Sequence, residues 1–117
     1  MTKKKNPIEA IEHYFQDAER HVDLGHIMNA DVILEQGKYA AKRLNVPLSK
    51  EYSSLQSHVR KVVGLRYAAG ARSAFQSGDT HSAKLYIERA KQYFNSVGEI
   101  SEEVDSLERK IKDIKEK

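Results

Sequence analysis

Apolar side chains recur every three or four positions along most of the chain, which is the spacing of one face of an α-helix. The pattern breaks at Gly25, at Asn45–Ser49, at Ser77–Thr80 and at Gly98. These breaks predict five helices, which form a hairpin over 7–44, a second hairpin over 49–97 with its turn at 77–80, and a C-terminal helix over 101–116. We therefore expect an all-α five-helix bundle of two antiparallel hairpins, with a long central helix and a C-terminal packing helix.

The same spacing predicts which side chains face inward. On the first two helices these are Ile8, Ile11, Phe15, Ala18 and Val22, then Ile27, Ala30, Leu34, Gly37, Ala41 and Leu44. On the third and fourth they are Tyr52, Leu55, Val59, Val63, Tyr67, Gly70, Ala71 and Ala74, then Ala83, Ile87, Ala90 and Phe94. Ile100, Val104, Leu107, Ile111 and Ile114 form a heptad seam, which either packs on its own domain or forms a short coiled coil with a partner or a second copy.

Turn chemistry supports two similar hairpins. Gly78 suits the left-handed position after a helix, and Asp79 or Thr80 can cap the helix that follows. The offsets of Ala71, Gly78, Ala83 and Ala90 are repeated by Ala18, Gly25, Ala30 and Gly37. Fixed offsets of small residues around a turn glycine indicate an internal repeat.

These offsets resemble the tetratricopeptide repeat, in two frames over 11–44 and 64–97 that are separated by 19 residues. The matching positions are Tyr14, Ala18, Gly25, Ala30, Leu34 and Gly37, then Tyr67, Ala71, Gly78, Ala83, Ile87 and Ala90. The resemblance implies helical hairpins that bind a peptide or protein surface. The segment YFQDAERHVDLGHIMNA is also similar to small archaeal helical domains of unknown function. The hairpin pattern further resembles the microtubule-interacting-and-transport domain, whose third helix would correspond to the fifth helix here.

Composition narrows the class of protein. The chain has 117 residues, no cysteine and a net charge of +3. We expect a flexible basic tail over 1–5 and a single helical domain over 6–117, in a cytoplasmic protein with no membrane segment. The mild basic excess permits an acidic or RNA partner without requiring one.

Histidines and carboxylates do not form a recognised catalytic or metal-binding motif. Glu9, His13 and Asp17 share one helix face, but no zinc-protease spacing occurs, so we expect no metal and no cofactor. Arg20 and His26 have a spacing that resembles the higher-eukaryote-and-prokaryote nucleotide-binding nucleases. Gly25 interrupts that motif, and we predict that the protein is not an enzyme.

Two groups of surface residues are candidates for binding. Tyr86, Arg89 and Tyr93 share one face of the fourth helix, beside Lys84 and Lys91, and either bind a partner or pack on a neighbouring helix. A possible basic surface on the third helix contains Arg60, Lys61, Arg66 and Arg72, near His58. We expect a non-catalytic protein-interaction or scaffold module, with an RNA- or ribosome-associated protein as the alternative. A homodimer through the C-terminal helix is also possible.

Overall fold

Five α-helices make up the part of the chain that the computed structural model describes, residues 6–115. They are α1 (Pro7–Asp23), α2 (Ile27–Leu44), α3 (Lys50–Gln76), α4 (Thr80–Ser96) and α5 (Glu102–Lys115). The all-α prediction is confirmed, and α3 is a single helix of 27 residues. The predicted basic tail, 1–5, lies outside the described residues. None of the described helices is long and apolar enough to cross a membrane.

Side-chain caps begin four of the helices. Asn6 accepts a hydrogen bond from the Ile8 N–H at 3.1 Å, and Ser49 accepts one from the Tyr52 N–H at 3.1 Å. Asp79 accepts from the Ser82 N–H at 3.0 Å, so it is Asp79 that caps α4. Ser101 accepts from the Val104 N–H at 3.3 Å. Each cap satisfies an N–H that has no partner within its own helix, which is why the helices begin where they do.

A left-handed residue follows the C-terminal end of each of the helices α1 to α4. Gly78 has a φ of +81°, which a residue without a Cβ adopts at little cost, and this confirms the predicted turn. Asn45 has a φ of 55° after α2, and the Val46 N–H then donates to the Ala41 carbonyl at 2.9 Å. This backbone bond is the longer-range bond of a Schellman cap, so it directs the chain away from α2 before Pro47.

The chain divides into two compact units, with the boundary between Val59 and Arg60 inside α3. The first unit contains α1, α2 and the beginning of α3. Its core holds small residues at the α1–α2 seam with larger side chains beside them, namely Ile11, Ala18, Ile27, Ala30, Leu34, Gly37, Ala41 and Tyr52. The Tyr52 hydroxyl donates to the Leu34 carbonyl at 2.6 Å, which joins α3 to α2.

The second unit contains the rest of α3 with α4 and α5. Its core consists of Ala68, Ala71, Ala83, Ile87, Ala90, Phe94, Val104, Leu107 and Ile111. All four residues predicted to face inward on α4 are buried. Because the alanines leave little side-chain volume between the helices, α3 and α4 can approach closely, as the hairpin pattern predicts.

Four apolar side chains predicted to face inward are exposed instead. Ile8, Leu44, Ile100 and Ile114 are 58%, 49%, 82% and 53% exposed, respectively. Each of these residues lies at or just beyond a helix end. The apolar spacing of the sequence continues there, but no neighbouring helix packs over the side chain. Ile100 precedes the α5 cap, so it is not on the helix at all. The α5 seam is therefore limited to Val104, Leu107 and Ile111.

Candidate functional site

A cluster of three tyrosines lies across the α3–α4 hairpin. The Tyr67 ring is 6.1 Å from the Tyr86 ring and 5.8 Å from the Tyr93 ring, measured between centroids. The Tyr67 and Tyr93 rings are stacked, with 25° between their planes. Tyr86 is 40% exposed, and the other two are half-buried. The cluster therefore joins two helices while leaving aromatic surface in contact with water.

The Tyr86 ring lies against α3 at Gly70. A Cβ added at Gly70 would be 3.5–3.6 Å from the Tyr86 ring, which is ordinary van der Waals contact. The α3 backbone at this position is therefore covered by an aromatic ring. This contact shows that packing on α3 is part of the role of Tyr86.

Arg89 lies on the same side of α4 as the tyrosines, whereas the two lysines do not. Residues advance by about 100° around a helix, so Lys91 is turned by about 200° from Tyr93. Lys91 Nζ contacts Glu108 Oε2 of α5 at 3.0 Å, and Lys84 lines a cavity with residues of α5. The predicted group therefore separates into a tyrosine–arginine face toward α3 and a lysine face toward α5.

Helix α5 packs beside α4 on the lysine side. Its Glu108 contacts Lys91, and its buried residues belong to the same core as Ile87 and Phe94. The sequence left open whether α5 covers the tyrosines. Both Tyr86 and Tyr93 have ring contacts with Tyr67 of α3, so the two tyrosines pack on a neighbouring helix.

The possible basic surface on α3 is also divided. Lys61 Nζ is 3.2 Å from Glu99 Oε1, and Arg72 Nη1 is 2.9 Å from Glu103 Oε1. These two bases lie about three turns apart on one side of α3 and contact the α4–α5 connection and α5. Arg66 is exposed and turned by about 140° from Lys61, and Arg60 is half-buried. The four residues do not form one continuous basic strip.

No family model, curated protein or solved structure matches this chain.

The two residues of the nuclease-like motif, Arg20 and His26, make separate contacts. Arg20 contacts Asp17 at 2.7 Å, while His26 is the N-cap residue of α2 and its ring lies 5.7 Å from the His21 ring. Gly25 between them has a φ of +78°, so it ends the helix inside the Arg20–His26 motif. Among residues 6–115, no group of three or more histidines or carboxylates is arranged to hold a metal ion.

Sequence reasoning did not predict two features of the first unit. The first is the burial of the Tyr52 hydroxyl, which raises the pKa of Tyr52 to about 12; a hydrogen bond from the Lys38 backbone opposes this shift, and the nearby Tyr14 adds to it. The second is a groove of about 330 Å³ beside the N-terminal half of α1. Its sequence signal is slight, since only the Val46–Pro47 break marks the connection that forms one wall.

Proposed function

We propose that this protein is a non-catalytic interaction module whose tetratricopeptide-like hairpins bind a peptide or protein surface. The observation that carries the proposal is the partly exposed tyrosine cluster with Arg89 on the same face of α4. Tyrosine and arginine are the residues most enriched where truncation weakens a protein interface. A preformed cluster of this kind contributes contact area without ordering long side chains on binding.

The geometry of Arg89 separates binding from packing. Tyr86 and Tyr93 contact Tyr67, so their loss changes the hairpin as well as any interface. Arg89 is exposed and does not belong to the core cluster. We therefore expect Arg89 to affect a partner while leaving the fold unchanged, which makes it the more informative position.

The alternative of RNA binding has less support. Lys61, Arg72 and Lys91 each contact a glutamate, so three of the candidate bases already have an anionic neighbour. A homodimer through α5 also has less support, because Val104, Leu107 and Ile111 are buried within the second unit. A cytoplasmic location is part of the same proposal and rests on the composition alone.

The test is affinity capture from native cells with wild type, Arg89→Ala and Tyr86→Ala, with and without nuclease. Arg109→Ala and Tyr39→Ala are matched controls, since both residues are exposed and lie far from the cluster along the chain. We expect a protein that survives nuclease treatment and is captured by wild type and both controls. A residue that contributes about 2 kcal/mol to an interface weakens binding roughly 30-fold when truncated, so Arg89→Ala should lose most of the signal.

Two outcomes contradict the proposal. Capture that disappears with nuclease, and falls log-linearly with salt, would indicate the RNA alternative. Equal capture by Arg89→Ala and Arg109→Ala would show that the tyrosine–arginine face is not the interface. The melting temperature of every variant must also be measured. If Tyr86→Ala melts at a lower temperature than wild type, its loss of capture reflects lost packing on α3 rather than a lost interface.

A further inference from the structure

The first unit has an apolar groove that its own side chains leave open. It is formed by Ile8, Ile11 and Phe15 of α1, by Val46 and Pro47 of the α2–α3 connection, and by Tyr52 of α3. Its volume is about 330 Å³, at the small end of the range typical of binding pockets. This volume suits a few apolar side chains of a partner rather than a whole helix.

Residues on both walls of the groove are fixed by burial or by hydrogen bonds. Tyr52 is 1% exposed and hydrogen-bonded, and its ring lies 6.2 Å from the Phe15 ring. On the other wall, the backbone bond from the Val46 N–H to the Ala41 carbonyl holds the connection in place. Ile8 at the edge is 58% exposed, so it offers apolar surface that an occupant would bury. A groove with such walls loses little freedom when it is filled.

The rim of the groove is acidic. The described residues that line it include Glu12 and Glu51, both exposed, and neither lysine nor arginine. Helix α1 as a whole carries five carboxylates and one arginine, and that arginine, Arg20, contacts Asp17. Lys50, next to Glu51 in sequence, is exposed but does not line the groove. The two carboxylates that do line it therefore favour a cationic group over a phosphate at the rim.

We propose that this groove binds a cationic amphipathic peptide segment of a partner protein. One or two aliphatic side chains would enter between Ile8, Ile11 and Phe15. A flanking lysine or arginine would lie against Glu12 and Glu51. The apolar walls supply the contact, and the two carboxylates select the sign of the charge. This site is separate from the tyrosine–arginine face, so either proposal can fail without the other.

The test uses a fluorescein-labelled amphipathic peptide of leucine and lysine, together with its leucine–glutamate counterpart, in fluorescence anisotropy at low salt. We expect the lysine peptide to bind and the glutamate peptide not to bind. Glu12→Gln/Glu51→Gln should weaken the lysine peptide roughly tenfold, because two exposed charge pairs contribute on that order. The control Glu19→Gln/Asp23→Asn removes two exposed carboxylates from the same α1 helix outside the groove, and should change binding less than about twofold.

Apolar contact and charge selection are tested separately. Ile8→Ser should weaken the lysine peptide roughly tenfold, whereas Ile114→Ser, at an isoleucine of similar exposure, should not. Glu12→Lys/Glu51→Lys should reverse the preference and bind the glutamate peptide. A gain of binding of this kind cannot result from misfolding.

Three results would overturn the proposal. The first is equal weakening by the Glu19/Asp23 control, which would show a general charge effect rather than a site. The second is equal binding of both peptides by wild type. The third is a dimer of the peptide-free protein that Ile8→Ser dissociates, since a second copy would then occupy the groove.

Discussion

Replacing Gly37 with alanine tests the packing at the centre of the first unit. Gly37 is buried in the middle of α2, where the Tyr14 and Tyr52 side chains meet the helix. A Cβ at this position would overlap the Tyr52 hydroxyl and lie 2.8 Å from Tyr14 Cβ and 3.0 Å from Tyr14 Cγ. The Cβ of Tyr14 is attached directly to the α1 backbone, so no side-chain rotation can move it away. The α1 and α2 backbones must therefore separate to admit the added methyl group.

Three effects determine how much Gly37→Ala changes the free energy of unfolding. Alanine is favoured over glycine inside a helix by about 1 kcal/mol. Against this, overpacking a close-packed core costs roughly 1–3 kcal/mol. Displacing the Tyr52 hydroxyl also removes its bond to the buried Leu34 carbonyl, at about 1–3 kcal/mol. The opposing effects outweigh helix propensity, and we expect Gly37→Ala to lower the free energy of unfolding by roughly 2–4 kcal/mol.

Two other helical glycines provide graded controls for this change. At Gly70 the added Cβ would meet the Tyr86 ring at 3.5–3.6 Å, so Gly70→Ala should stabilise by roughly 0.5–1 kcal/mol. At Gly64 the Phe94 ring is 3.2–3.3 Å away, so Gly64→Ala should fall between the other two. Urea unfolding followed by far-ultraviolet circular dichroism measures all three.

A double variant identifies the neighbour responsible. Tyr52→Phe removes the hydroxyl that a Cβ at Gly37 overlaps, so Gly37→Ala/Tyr52→Phe should be less destabilised than the sum of the single changes, by about 1 kcal/mol or more. Additive effects would show that the hydroxyl is not the obstacle. If Gly37→Ala alone left stability unchanged, the close approach of α1, α2 and α3 at this residue would be refuted.

Three further predictions concern stability. Burial raises the pKa of Tyr52 from 10.0 to about 12. The stability that the neutral Tyr52 hydroxyl contributes is therefore full below pH 10 and is lost as the pH rises toward 12. Over this window the free energy of unfolding of wild type should fall by up to ~2–3 kcal/mol more than that of Tyr52→Phe. The hydrogen bond from the Ser82 N–H lowers the pKa of Asp79. The stabilisation of α4 by the Asp79 carboxylate should therefore weaken only as the pH falls below 3.8, the usual pKa of aspartate. Asp79→Asn keeps a hydrogen-bond acceptor and should remove this pH dependence of stability. Ala83→Leu should cost roughly 1–3 kcal/mol in thermal unfolding, because Ala83 is buried in the same core as Ala71, whereas Ala69→Leu at an exposed position should not; an unchanged melting temperature for Ala83→Leu would refute the close packing of α3 and α4 at this residue.

The helices were predictable because their signals are local. Helical spacing, the Asp79 cap and the turn glycine Gly78 all act within a few residues, and the structure confirms each of them. Small residues such as Ala71 and Ala83 also identify the close seam, since they recur at fixed offsets around the turn glycine, and both are buried. The errors lie at helix ends, where Ile8 and Ile100 keep the apolar pattern without a neighbouring helix to cover them.

The candidate sites were less predictable because they depend on which helix lies on which side. Tyr93 and Lys91 are two residues apart in sequence, yet Tyr93 contacts α3 and Lys91 contacts α5. No local pattern states the side of α4 on which α5 packs. The groove of the first unit has the same difficulty, because its walls come from α1, from the α2–α3 connection and from α3.

Charge shows most directly why composition cannot name a partner. The net charge of +3 suggests an acidic partner, but residues 1–59 hold eight carboxylates and eight lysines or arginines, while 60–117 hold nine and twelve, so the excess of base lies in the second part of the chain. In the second unit, Lys61, Arg72 and Lys91 each form an ion pair with a glutamate, so these three positive charges already have an anionic neighbour within the protein. In the first unit, Glu12 and Glu51 stand at an open apolar groove. A partner meets the local charge at a site, and at this groove exposed apolar surface of Ile8 lies beside two carboxylates.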